Sequence, residues 1–261
     1  MSPVLALPFL LCPPAQDASL ERLERSPRHQ EWIRVKHGER DVHAFVVFPE
    51  KEEKATAVVV IHENRGLTDW VRGVADQLAE AGYLAIAPDL LSGMGPEGGK
   101  TADFATGDAA RRAIYELSPE QVTADLHAVA DHVGKLPAAN GKVAVAGFCW
   151  GGSQTFRFAT NNDRIAAAFV FYGTGPDGEA DVAKIRCPVY GFYGGNDARV
   201  NETIPASTDL MKKAGKTYEP VVHDGAGHGF MRSGEASGAD EANRRARDEA
   251  WNRLLALLEK L

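Results

Sequence analysis

The chain has 261 residues, a length that α/β folds use as a single unit. Hydrophobic residues make up 44% and charged residues 25%, globular proportions that exclude wholesale disorder. Lys and Arg number 29 against 36 Asp and Glu, for a net charge of −7, and no basic stripe runs along the sequence. The electrostatic footprint of a nucleic-acid binder is therefore missing. No apolar run approaches the roughly 20 residues that a membrane span needs.

The first eleven residues are apolar and lead into Cys12-Pro13-Pro14-Ala15-Gln16-Asp17. They resemble the end of a secretory signal with Ala15 near its cleavage point, but no Lys or Arg precedes the apolar part. Residues 1–30 are read as an N-terminal extension or a signal remnant, and 31–261 as one domain. Location is thus cytoplasmic or exported. The three cysteines, Cys12, Cys149 and Cys187, lie too far apart for a disulfide framework or a paired-cysteine zinc site. Cys187 precedes Pro188 at the start of an apolar run and reads as a buried structural thiol.

In chain order, residues 33–37 and 42–48 alternate around Gly38-Glu39 and predict a hairpin. The continuous Val/Ile-rich run 57–62 predicts a strand buried on both faces of a parallel sheet. Helical spacing follows over 68–81, with Gly82 as a stop, and then a strand over 83–88. The Gly-rich stretch 91–107 reads as a long surface excursion, and 111–117 as a short helix. Ser118-Pro119-Glu120-Gln121 is a helix start, with a Ser cap and Pro at the first position, and that helix runs to about Lys135. Further strands are expected at 143–148, 165–172, 189–193 and 218–222. Helices are expected at 151–160, 204–214 and from Asp240 to the C-terminus. This alternation predicts a mostly parallel sheet flanked by helices on both faces, with the hairpin as an antiparallel edge. Ligands of such folds bind beyond the carboxyl ends of the strands.

The strand ends carry the chemistry. After the strand at 143–148 stands Gly147-Phe148-Cys149-Trp150-Gly151-Gly152, a nucleophile-elbow pattern with Cys in the place of Ser. Small residues two before and two after the nucleophile permit the sharp strand-to-helix turn. The helix start there favours a thiolate. Asn196-Asp197 follows the strand at 189–193, and His228 follows the strand at 218–222. The order nucleophile, acid, histidine is the one an α/β-hydrolase fold imposes. Cys149 then attacks, His228 shuttles the proton and Asp197 fixes the imidazole. After the strand at 57–62 comes Glu63-Asn64-Arg65-Gly66. The N–H of Asn64, with that of Trp150, is the candidate oxyanion hole.

These motifs resemble the dienelactone hydrolase family, the carboxymethylenebutenolidases of the α/β-hydrolase superfamily. The resemblance spans about residues 31–261. It rests on Ile61-His62-Glu63-Asn64-Arg65-Gly66, Ala87-Pro88-Asp89-Leu90, the Cys149 elbow and Gly227-His228-Gly229-Phe230. It implies the triad Cys149, Asp197 and His228, and a Glu63 that contacts the resting thiol and controls its ionisation. It also implies that Arg232 grips a substrate carboxylate. The family's second such arginine is missing, because Asp89-Leu90 continues as Leu91-Ser92-Gly93. Arg65 and Arg199 are the candidate replacements.

Three lookalikes carry no function in this reading. Gly98-Gly99-Lys100-Thr101 imitates a phosphate-binding loop, but its required first glycine falls at Met94. His62-Glu63 begins like a zinc-protease motif, but Gly66 stands where the second histidine is needed. Arg244-Arg245-Ala246-Arg247 is read as the solvated face of the last helix. No metal and no cofactor are predicted. Phe148, Trp150, Tyr172 and Phe230 are core or pocket wall. The expected function is cysteine-dependent hydrolysis of lactones and activated esters, by a monomer or homodimer acting on a small molecule. The alternatives are a phosphotriester or aryl-ester hydrolase using the same triad, and a non-catalytic binding or thiol-sensor protein.

Overall fold

The computed structural model describes residues 15–176 and 178–261. The expectations for the apolar tail and Cys12 lie outside the described residues. One sheet contains β1 (Gln30–His37), β2 (Arg40–Val47), β3 (Ala55–Ile61), β4 (Leu84–Pro88), β5 (Ala139–Phe148), β6 (Ala167–Phe171), β7 (Val189–Gly194) and β8 (Tyr218–His223). Their order is β1-β2-β4-β3-β5-β6-β7-β8. The hairpin pairs Val35 with Val42, and β2 runs antiparallel to β4. Every pairing from β4 to β8 is parallel.

Ten α-helices accompany the sheet among the described residues: α1 (Ala15–Arg25), α2 (Asp69–Glu80), α3 (Gly107–Glu116), α4 (Pro119–Gly134), α5 (Trp150–Asn161), α6 (Glu179–Val182), α7 (Ala198–Asn201), α8 (Ile204–Lys213), α9 (Phe230–Glu235) and α10 (Glu241–Leu258). Successive side chains of a strand point to opposite faces, and β3 is apolar on both. Val59 and Ile61 join a core with Leu126, Val129 and Val133 of α4 and Phe156 of α5. Val58 and Val60 join the opposite core with Val71, Val74 and Leu78 of α2 and Leu254 of α10. The Ser118 hydroxyl accepts from the Gln121 N–H at 3.1 Å and caps α4. No helix among the described residues is long and apolar enough to cross a membrane.

Several elements differ from expectation, for local reasons. The excursion over 91–107 lies largely at the surface as expected, but it is anchored at its start, where Leu91 and Ser92 are fully buried. Asp89 is the anchor: it accepts from the Thr101 hydroxyl at 2.7 Å and the Thr101 N–H at 2.9 Å. The Thr101 hydroxyl in turn accepts from the Leu67 N–H at 3.0 Å. The residue that ends the phosphate-loop lookalike thus joins the β4 end to the loop after β3. Thr106 caps α3, which starts four residues before the expected helix. The described part of the N-terminal extension packs on α2. Leu23 is buried there, and fully buried Asp76 accepts two guanidinium hydrogen bonds from Arg28, at 2.9 and 2.7 Å. Helices α6, α7 and α9 have only four to six residues, too few to show a hydrophobic period. Cys187 is buried, and burial pushes its thiol up to about 11.

Candidate active site

The turn from β5 into α5 is built by what two glycines lack. A Cβ on Gly147 would lie 2.1 Å from the Gly151 carbonyl oxygen, and one on Gly151 would lie 2.4 Å from the carbonyl oxygens of Ile61 and His62. With both absent, α5 begins directly against the end of β3. Cys149 between them takes φ +56° and ψ −116°, a conformation that L-residues seldom adopt. Its thiol is only partly buried, at the first turn of a helix.

The other two strand ends are stitched together. Gly195 N–H donates to the His223 carbonyl at 2.8 Å, and Asn196 donates from its N–H to Ala226 at 2.8 Å and from its amide to Gly225 at 2.9 Å. Gly194 lies so close to the β8 loop that a Cβ would meet the Gly227 oxygen at 2.6 Å. Asn243 of α10 accepts from the Gly227 N–H at 2.9 Å. These bonds fix Asp197 and His228 relative to each other, with the imidazole Nδ1 at 2.5 Å from Asp197 Oδ2. A carboxylate only accepts, so Nδ1 donates. The Nε2 atom lies 3.1 Å from Cys149 Sγ. Asp197 is 7% exposed. The hydrogen bond to Cys149, assisted by Asp197 and opposed by burial, pushes His228 up to about 9.

Tyr172, at φ +40°, closes the inner wall. Its ring meets His228 edge-on at 5.1 Å and Phe230 at 5.4 Å, and its buried hydroxyl has no partner among the described residues. Burial, and then Glu63, hold this phenol well above its usual range. Phe148 and Phe230 are fully buried core.

His62 is fully buried and stacks on Trp150, with ring centroids 5.5 Å apart. Its Nε2 accepts from the Leu90 N–H at 3.2 Å, so Nδ1 carries the proton and donates to the Glu63 carbonyl at 2.8 Å. Burial pushes its pKa down, which keeps it neutral. This histidine ties the ends of β3 and β4 to the elbow. The Trp150 N–H is one of the unpaired donors at the start of α5. The Asn64 N–H is left over by the adjoining turn, whose own bond runs from Gly66 N–H to the Glu63 carbonyl. The Asn64 amide donates to the Tyr115 hydroxyl at 3.3 Å.

Glu63 lines the cleft together with Cys149, and its Oε2 accepts from Arg232 Nε at 3.0 Å. The reason for this pairing is charge. Arg232 offers a full positive charge to the carboxylate, while Cys149 is already engaged by His228. Arg232, expected to grip a substrate carboxylate, gives its Nε to Glu63 and stays half exposed. Its pKa is raised, by Glu63 first.

A cleft of about 620 Å³ opens over the thiol. Glu63, Asn64, Arg65, Cys149, Arg199, His228 and Arg232 line it, as do Arg111 and Tyr115 of α3. The last two escaped sequence reasoning. Their spacing of four places them on one helix face, but nothing in the sequence tells which way that face turns.

The profile of the dienelactone hydrolase family matches residues 42–261. A relative from Salmonella typhimurium, provisionally named a carboxymethylenebutenolidase, is 32% identical over 231 residues, covering 82% of this chain and 81% of its own. The carboxymethylenebutenolidase of Pseudomonas putida is 28% identical over 223 residues, covering 80% and 91%. Among solved structures, a provisionally named dienelactone hydrolase of Klebsiella pneumoniae superposes with a TM-score of 0.78 at 24% identity, over 90% of this chain and 99% of that one. A dienelactone hydrolase-like promiscuous phosphotriesterase from metagenomic libraries superposes at 0.75 and 23%, over 90% and 98%. At those identities the structures speak for the fold alone, which is that of the α/β-hydrolases. With the family profile covering most of the chain from the hairpin onward, the chain belongs to the dienelactone hydrolase family and is a hydrolase of ester bonds.

Proposed function

We propose that the protein hydrolyses lactones and activated esters through an acyl-enzyme on Cys149. The observation that carries this reading is the continuous line from Asp197 Oδ2 to His228 Nδ1, at 2.5 Å, and from Nε2 to Cys149 Sγ, at 3.1 Å. The thiolate attacks the ester carbonyl, and a carbon–sulfur bond forms. The negative charge on the carbonyl oxygen falls to the N–H groups of Trp150 and Asn64. The tetrahedral species collapses, the carbon–oxygen bond breaks, and the His228 imidazolium gives its Nε2 proton to the leaving alkoxide. The now neutral imidazole takes a proton from water. The hydroxide so formed cleaves the thioester, releasing the acid and restoring the thiolate–imidazolium pair.

A thiolate leaves as readily as it attacks, so the leaving group of the substrate must itself be good, as in enol and aryl esters. A second reading, hydrolysis of neutral phosphotriesters, draws on the activity named for the metagenomic neighbour. The four arginines of the cleft favour the first for esters that carry a carboxylate, since a neutral triester brings no negative charge to them. The test is turnover of 4-nitrophenyl acetate with mass spectrometry of the quenched enzyme. A mass increase of one acetyl group on Cys149 is expected, and Cys149→Ala should lose at least ~10³-fold in kcat while Cys187→Ala keeps most of it. Equal losses at both cysteines, or turnover surviving in Cys149→Ala, overturns the reading. Full inactivity of the wild type leaves the binding-protein alternative.

A further inference from the structure

The cleft over Cys149 is far more cationic than the chain that contains it. Arg65, Arg111, Arg199 and Arg232 line it against a single acid, Glu63, in a protein of net charge −7. The four cations come from four separate elements. Arg65 follows β3, Arg111 lies on α3, Arg199 on α7 two residues beyond Asp197, and Arg232 on α9 four residues beyond His228. Glu63 matches Arg232. Among the described residues, Arg232–Glu63 is the only ion pair made by an arginine of this cleft, and Arg65, Arg111 and Arg199 make none. Arg65 runs alongside Gly107 at the start of α3, which brings it to the wall that also carries Arg111 and Tyr115.

A lone exposed arginine is ordinary solvated surface. Three that share one concave site add like charge to the same cleft, and low-dielectric walls focus their field. A substrate with one negative group satisfies one arginine and leaves the others unmatched. Charge balance therefore asks for at least two.

We propose that the substrate is an ester or lactone with two or more carboxylate groups on its acyl part, directed to the unmatched rim formed by Arg65, Arg111 and Arg199. This rests on the hydrolytic reading above and adds the substrate class to it. Planar guanidinium groups suit carboxylates because two parallel N–H donors meet two oxygens. Hydrolysis generates one more carboxylate, so the product is the most anionic species in the cycle, and the rim holds it until release.

The test uses the 4-nitrophenyl monoesters of acetic, succinic and propane-1,2,3-tricarboxylic acids, which keep zero, one and two free carboxylates. For the wild type, kcat/KM should rise by roughly ten-fold at each step. Within each protein, the ratio of the third substrate to the second is the readout for the rim. That ratio should fall to near one in the double variant Arg111→Gln/Arg199→Gln, and it should shrink as ionic strength rises. Calorimetry with propane-1,2,3-tricarboxylate and with acetate supplies a readout apart from turnover, and only the tricarboxylate should bind. If the acetate ester is hydrolysed through Cys149 but further carboxylates add nothing, the inference fails and the hydrolytic reading stands. If Cys149→Ala keeps its turnover, the hydrolytic reading fails, while selective tricarboxylate binding lost in the double variant still supports an anion rim. A gain that survives in the double variant overturns the assignment of the rim.

Discussion

Replacing Glu63 with Gln tests how the cleft receives an anionic substrate. In the structure Glu63 holds Arg232 at 3.0 Å, with the arginine side chain half exposed and the glutamate 14% exposed. A substrate carboxylate reaching Arg232 must displace or share that partner. An ion pair this accessible contributes roughly 0.2–1 kcal/mol once screening is counted. Glu63→Gln removes the competing charge and keeps the side-chain shape. The KM for a carboxylate-bearing aryl ester should therefore fall by roughly 1.5- to 5-fold, and that for the acetate ester should stay put. Alkylation gives the second half of the test. If Glu63 faced the thiol, its charge would disfavour the thiolate, and the variant would react faster with iodoacetamide at neutral pH. With Cys149 on His228 and Glu63 on Arg232, wild type and variant should alkylate at similar rates. Steady-state kinetics and a pH series of alkylation measure both. A KM that rises for the anionic ester, or a wild-type thiol that is inert until Glu63 is neutralised, refutes the pairing as the working state of the site.

His228 should keep its proton to about pH 9, and loss of its largest raising contact in Cys149→Ala should move the titration down toward the ordinary value of 6.5. Imidazole NMR reads this directly, and the same midpoint in both proteins would remove Cys149 as the cause. Because the folded pKa lies above the ordinary one, the stability this group contributes is full below about pH 6.5 and is lost as pH rises through 9. Gly151→Ala sets a Cβ 2.4 Å from two backbone oxygens of the β3 end and should lower Tm by roughly 5 °C or more. Gly107→Ala, whose Cβ meets only Arg65 at 3.6 Å, is the control and should be neutral or stabilising; equal Tm changes would show that the elbow is not packed as described.

The sheet was legible because its interior strands are apolar on both faces. The runs at β3, β5 and β6 leave no other use for so many consecutive small and branched residues. The grouping of Cys149, Asp197 and His228 was legible for a related reason. Parallel strands all end on one side, so residues that follow successive strands converge without any long-range information. The partner of Glu63 was not legible. Arg232 and Cys149 both lie within its reach, and choosing between them depends on side-chain placement across a cleft. Short helices such as α7 and α9 were invisible to periodicity, although Arg232 was already named through the family resemblance and Arg199 as a candidate replacement for the missing arginine.

The excursion after β4 shows where sequence reading stops. Its glycines suggested a loose surface loop, and the arginine expected just after Asp89-Leu90 was absent. In the fold, Asp89 uses its carboxylate on Thr101 instead, and this clamps the excursion against Leu67 beside Glu63-Asn64-Arg65. The clamp fixes where α3 begins, and α3 delivers Arg111 and Tyr115 to the cleft. The end of β4 itself brings no arginine to the cleft, whereas α3, some twenty residues later in the sequence, brings Arg111. No local pattern encodes that placement, because it depends on a buried aspartate holding down a loop. Thr101→Val, which removes the hydroxyl and keeps the shape, should loosen α3 and weaken binding of anionic esters more than it changes turnover of the acetate ester. Carboxylate-ester KM and proteolytic nicking within 91–107 should rise together; unchanged values for both would show that the clamp does not position Arg111.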